Sequence, residues 1–177
     1  MEKLMIVVVV LFLIQSVFVI ALLFQIKQMQ KNHGKKKLTA VYYGLETEDG
    51  KKTTESIRKG IKNDEFKMYL QFVVDSKTKK IVSAEALSRW DNPQKGIVGP
   101  GNYIGHMEAS GLISQHDFYM FERACQQLEK WRNTEYKDIS ISCNFTRITL
   151  SEEECAEKLK KILKSYHFDR EKLGIEI

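Results

Sequence analysis

From Phe66 to Ile177, short runs rich in β-branched and aromatic residues alternate with segments whose apolar residues recur every three or four positions. That alternation restricts the fold more than any other feature. Phe66 to Val74 (FKMYLQFVV) reads as a strand closing on Asp75-Ser76-Lys77, and Ile81 to Trp90 reads as the next, ended by Asp91-Asn92-Pro93. Asn102 to Ala109 is predicted to form a short helix after Pro100 and Gly101, closed by Gly111 as a C-cap. His116 to Arg132 carries Phe118, Phe121, Ala124, Cys125, Leu128 and Trp131 along one helical face. Ile139 to Phe145 (ISISCNF) reads as strand. Ser151-Glu152-Glu153-Glu154 reads as a capping box opening a helix with Cys155, Leu159, Ile162, Leu163 and Tyr166 on one side. Leu173 to Ile177 (LGIEI) is a fourth strand. The pattern predicts an α/β fold, and the last three strands have connections long enough for parallel packing.

Ahead of this region, Leu4 to Phe24 (LMIVVVVLFLIQSVFVIALLF) is uncharged and broken only by Gln15 and Ser16. A helix of that length crosses the ~30 Å hydrocarbon core of a bilayer. A cleaved signal peptide fits less well, because Glu2 and Lys3 both precede the run and no small-residue cleavage site follows. Lys3 alone stands before it, whereas Lys27, Lys31, Lys35, Lys36 and Lys37 follow, which predicts a single pass with the N-terminus outside and the remainder cytoplasmic. The predicted organisation is a short tail (1–3), a transmembrane helix (4–26), a basic juxtamembrane linker (27–55) and a folded domain (56–177). A short helix around Thr54 to Lys62, capped by Thr54, closes the linker. In the cytoplasm the sequon-like Asn144-Phe145-Thr146 is not glycosylated.

The net charge of +5 does not require a nucleic-acid partner, since much of the excess lies in the lysines after the apolar run, and no DNA or RNA polymer is expected. Hydrophobic residues at 43% supply a core for one domain. The three cysteines, Cys125, Cys143 and Cys155, are far apart and lack C-x-x-C spacing, so they read as buried thiols.

In parallel α/β folds the site lies at the C-terminal ends of strands. Glu85, Asn144 and Glu176 are polar residues in otherwise apolar strands, and each needs a cation or a hydrogen-bond donor. Two carboxylates and an amide are hard oxygen donors, suited to Mg²⁺ or Mn²⁺ rather than zinc. A backbone amide or a nearby lysine would satisfy each equally well.

Gln71 in YLQFVV, Glu85-Ala86-Leu87-Ser88-Arg89-Trp90, Pro100 before NYI, then GHMEASGLIS, ACQQLEKW, ISCNFT and LGIEI form an ordered series. In order and spacing this series resembles the EAL domain of cyclic-di-GMP phosphodiesterases. The resemblance implies a (β/α)8 TIM-type barrel, here partial, with about four strands. It implies hydrolysis of cyclic di-GMP to pGpG with Mg²⁺ or Mn²⁺ held by Glu85, Asn144 and Glu176, and with Gln71, Leu87 and Arg89 approaching the substrate. An arginine pairs bidentately with phosphate, which suits Arg89.

The chain departs from the family pattern in two places. Phe72 stands where proline usually follows the glutamine. Nothing follows Ile177, so the adjacent aspartate pair, the lysine and the later glutamate of such domains are expected to be missing, and activity is expected to depend on a second half-domain or protein partner. The alternatives are a catalytically inactive, membrane-tethered interaction module or truncated remnant, and a basic protein acting on anionic lipid through Lys35, Lys36 and Lys37.

Overall fold

The computed structural model describes residues 43–177, together with Gln25, Lys27, Gln28 and Lys31. Tyr43–Ile177 forms one unit. The expected transmembrane helix, and the single-pass localisation built on it, are corrected here. Among the described residues no helix is long and apolar enough to cross a membrane, and the predicted 4–26 span lies, apart from Gln25, outside them. The lysine cluster Lys35 to Lys37 lies outside them as well.

A five-stranded sheet organises the unit. The strands are β1 (Phe66–Val74), β2 (Ile81–Asn92), β3 (Gly96–Val98), β4 (Ser140–Asn144) and β5 (Leu173–Glu176). Their order is β1-β2-β4-β5, with β3 pairing β2. β1 and β2 are antiparallel because the turn from Asp75 to Lys80 is too short for a crossover. β2, β4 and β5 run parallel, as their longer connections predict. The short β3 escapes a sequence reading because it folds back directly after Asn92, whose Oδ1 accepts from the amides of Gln94 and Lys95.

The helices are α1 (Glu48–Lys62), α2 (Ile104–Ser110), α3 (Ile113–Trp131), α4 (Arg147–Leu150) and α5 (Cys155–Lys164). α1 starts more than a turn before the predicted Thr54. Thr47 caps it, accepting from the Gly50 amide at 3.1 Å, and Glu48 and Asp49 in the first turn suit the positive helix end. Asp49-Gly50, which resembles a turn, is inside the helix, where a Cβ at position 50 would collide with the Gly44 carbonyl. Gly111 adopts φ 76° and closes α2 as expected. Ser151 does not cap α5. It ends α4, a helix absent from the sequence reading and capped by Thr146.

Alternation along the strands divides the sheet into two faces. One face packs on the helices. Phe66 and Trp90 stack at 5.3 Å and join Ile57, Tyr103, Met107 and Ile113 beneath α1 and α2. Ala86, Ile141 and Cys143 join Phe121, Ala124 and Leu128 of α3. The three cysteines are free and buried, and burial pushes the thiols of Cys125 and Cys143 up to about 12. The opposite face of the sheet carries no helix of this unit, and it bears the polar residues of interest.

The Gly50 contact yields a stability prediction. Gly50→Ala is expected to cost about 1–3 kcal/mol through overpacking, read as a lowered thermal midpoint. An unchanged midpoint would show that the start of α1 is free to shift.

Candidate functional site

Glu85, Leu87 and Arg89 alternate with Ala84, Ala86 and Ser88 along β2, so the first three share the face turned away from the helices. Gln71 lies directly opposite Glu85 in the antiparallel register, and Glu85 lies beside Ser142 in the parallel one. Asn144, one alternation beyond Ser142, pairs with Glu176 of β5. The register therefore collects Gln71, Glu85, Asn144 and Glu176 on one face. Asn144 Nδ2 donates to Glu85 Oε1 at 2.7 Å. Glu85 is not at a strand end as expected, because β2 continues to Asn92 to pair with β1 and β3. It lies instead near the end of the β2–β4 ladder, whose last pair is Ala86 with Cys143.

Arg89 stands apart from this group. It is four residues, about 13 Å, along the strand from Glu85, and its Nη1 donates to the Ser88 carbonyl at 2.8 Å. A cavity of about 520 Å³ reaches this group only at Asn144 and extends past Leu87 to the helix side of the sheet, where Ser88, His116, Asp117 and Ile148 help to line it. Its size is that of a small-molecule site. Among the described residues no group of three or more His, Cys, Asp or Glu stands ready to hold a metal.

The turn that follows Asn144 is fixed from behind. Phe145 is buried edge-on against Phe118 and Phe121, and its amide donates to the Glu176 carbonyl at 2.8 Å. Asp117 of α3 accepts at Oδ2 from the Thr146 amide (2.9 Å), Thr146 Oγ1 (2.9 Å) and Thr149 Oγ1 (2.6 Å). Its neighbour His116 places Nε2 2.9 Å from Ser88 Oγ and Nδ1 3.7 Å from Asp117 Oδ1. These residues were missed in the sequence. Their signal is positional, because Ile113, His116, Asp117, Met120, Phe121 and Ala124 all lie on the buried face of α3.

Burial alone would push the Asp117 carboxyl up. Contacts with His116, Thr149 and Thr146 outweigh it and hold the group below its ordinary value. A depressed folded-state value contributes stability above the unfolded value of about 3.9, and that contribution is lost as pH falls through the folded value. Asp117→Asn is therefore expected to destabilise the chain at neutral pH by about 1–3 kcal/mol. The gap to wild type should narrow below about pH 4. Denaturant melts across pH check this, and a gap independent of pH would contradict it.

The EAL domain family matches residues 54–177. The cyclic di-GMP phosphodiesterase NbdA of Pseudomonas aeruginosa is 26% identical over 109 residues, covering 62% of this chain and 14% of NbdA. The signaling protein YkoW of Bacillus subtilis is 29% identical over 121 residues, covering 68% of this chain and 15% of YkoW. The solved PaMucR phosphodiesterase in its c-di-GMP complex superposes with a TM-score of 0.67 at 22% identity, covering 71% of this chain and 51% of that one. The Xanthomonas citri FimX EAL domain in complex with c-diGMP gives 0.64 at 18%, covering 74% and 50%. At these identities the solved structures establish the fold. The chain spans about half the length of those solved chains and less than a fifth of these curated relatives.

Proposed function

This chain belongs to the EAL domain family, and from that membership we propose that its open sheet face supplies the first ligands and the substrate-holding groups of a cyclic-di-GMP phosphodiesterase. Glu85, Asn144 and Glu176 would hold Mg²⁺ or Mn²⁺, while Gln71, Leu87 and Arg89 would contact the cyclic dinucleotide. The observation that carries this reading is the 2.7 Å contact of Asn144 with Glu85 in a register that also brings Glu176 alongside.

The donor set fits such a cation. Glu85 and Glu176 offer hard carboxylate oxygens, and a half-turn of the Asn144 amide exchanges Nδ2 for Oδ1. When bound, the cation would supply Lewis-acid polarisation of the phosphodiester and a more acidic attacking water. Arg89, about 13 Å along the strand, is too far to share that ion. Its place fits a guanidinium that pairs with a second phosphate and so orients a ligand of dinucleotide size. Leu87, between them, borders the cavity and offers an apolar wall to a base.

Three donors do not complete the six-oxygen shell these cations take. The remaining positions fall to water, phosphate oxygens and groups outside β1 to β5. Hydrolysis accordingly calls for further strands that continue the sheet and bring the remaining ligands. A second reading, a non-catalytic interaction module, draws on the half-exposed Tyr69 and Val73 of β1.

Titrating Mn²⁺ into the full chain, followed by electron paramagnetic resonance, tests the ligand assignment. Glu85→Gln is expected to weaken binding by about tenfold or more, and equal binding in the two proteins would remove it. Arg89→Ala should weaken cyclic di-GMP binding while sparing Mn²⁺. Release of pGpG above a Glu85→Ala control would exclude the non-catalytic reading.

A further inference from the structure

His116 and Asp117 interrupt the buried face of α3 with two adjacent polar side chains, each in a residue only 4% exposed. Burying a carboxylate is costly without dedicated donors, and Asp117 has three on one oxygen. The two residues reach different strands. His116 bonds to Ser88 of β2, which stands between Leu87 and Arg89, and Asp117 bonds to the turn just beyond Asn144 of β4.

The need for such ties is set by the sheet. The β2–β4 ladder stops at Ala86 and Cys143, so Asn144 lies one residue past the last pair on that side. Its other neighbour, β5, tethers it only through Glu176 and the Phe145 amide.

We propose that His116 and Asp117 are positioning residues: they clamp the middle of β2 and the end of β4 to one helix and so keep the Asn144 amide within reach of Glu85. The inference rests on the reading of Glu85 and Asn144 as ligands for its functional meaning. The clamp itself is a statement about side-chain placement. Both residues border the cavity that Leu87 and Asn144 also line, but neither lies on the sheet face that carries Glu85. Asp117 acts through Thr146 and Thr149, and His116 acts through Ser88. The hydroxyl of Thr149, fully buried, donates the shortest of the three bonds to Asp117, at 2.6 Å. Valine at that position keeps the shape and removes the donor.

The test follows the Asn144 side-chain amide by ¹⁵N–¹H spectroscopy in the full chain, with its signal assigned by its loss in Asn144→Asp. Asp117→Asn, Thr149→Val and Ser88→Ala are compared with Thr149→Ser, which retains the hydroxyl. The Asn144 signals should move in Asp117→Asn and Thr149→Val and return in Thr149→Ser, and unmoved signals in Ser88→Ala would remove His116 from the clamp. Mn²⁺ affinity should fall about 10- to 100-fold in the same two variants, the range for residues that orient ligands. Thr149→Val guards against an Asp117→Asn protein that does not fold, and a folded Thr149→Val with unmoved Asn144 signals overturns the clamp. Movement of Asn144 in a protein whose wild type takes up no Mn²⁺ upholds the clamp and removes only the ligand assignment.

Discussion

The parallel pairing of β2 with β4 is the interaction on which the site depends, because it alone sets which side chains of two distant segments share a face. Ser83, Ala84, Glu85 and Ala86 lie beside Ser140, Ile141, Ser142 and Cys143. A slip of one residue would turn Glu85 toward Phe121 and Ala124 and expose Ala86 in its place. Burial decides the register. Ala84, Ala86, Ile141 and Cys143 are small enough or apolar enough to pack beneath α3, and a carboxylate there would lack partners.

The polar network behind the sheet extends the same logic past the end of the ladder. Backbone bonds fix β4 only as far as Cys143 on the β2 side. Beyond that point Phe145 anchors the chain by packing and Asp117 anchors it by hydrogen bonds. The site's geometry therefore rests on a helix that contributes none of its own side chains to the open face. Catalytic sites that need sub-ångström placement commonly draw on such support.

The strands were legible in the sequence because β-branched and aromatic runs are local signals. β1 falls at Phe66–Val74 as read, and β4 and β5 differ from the reading only at their ends. Less legible were features set by distant contacts. Gly50 reads as a turn residue but is a point of close backbone approach. α4 is too short to show a period, and Ser151, read as the cap of α5, instead ends α4. Glu85, Asn144 and Glu176 could be picked out as polar residues in apolar strands. Their meeting could not, since register is a property of the paired strands. His116 and Asp117 were hidden inside a helix whose apolar spacing was itself correctly read. The apolar segment 4–24, so prominent in the sequence, lies outside the described residues, and no described helix takes its place as a membrane span.

A crystal of the full chain grown with Mn²⁺ and cyclic di-GMP, with the metal located by its anomalous scattering, would test the central claim most directly. The predicted result is a peak about 2.0–2.3 Å from oxygens of Glu85, Asn144 and Glu176, with a phosphate of the ligand at Arg89. Metal bound elsewhere on the chain, or dinucleotide bound away from the open face of β2, would contradict it.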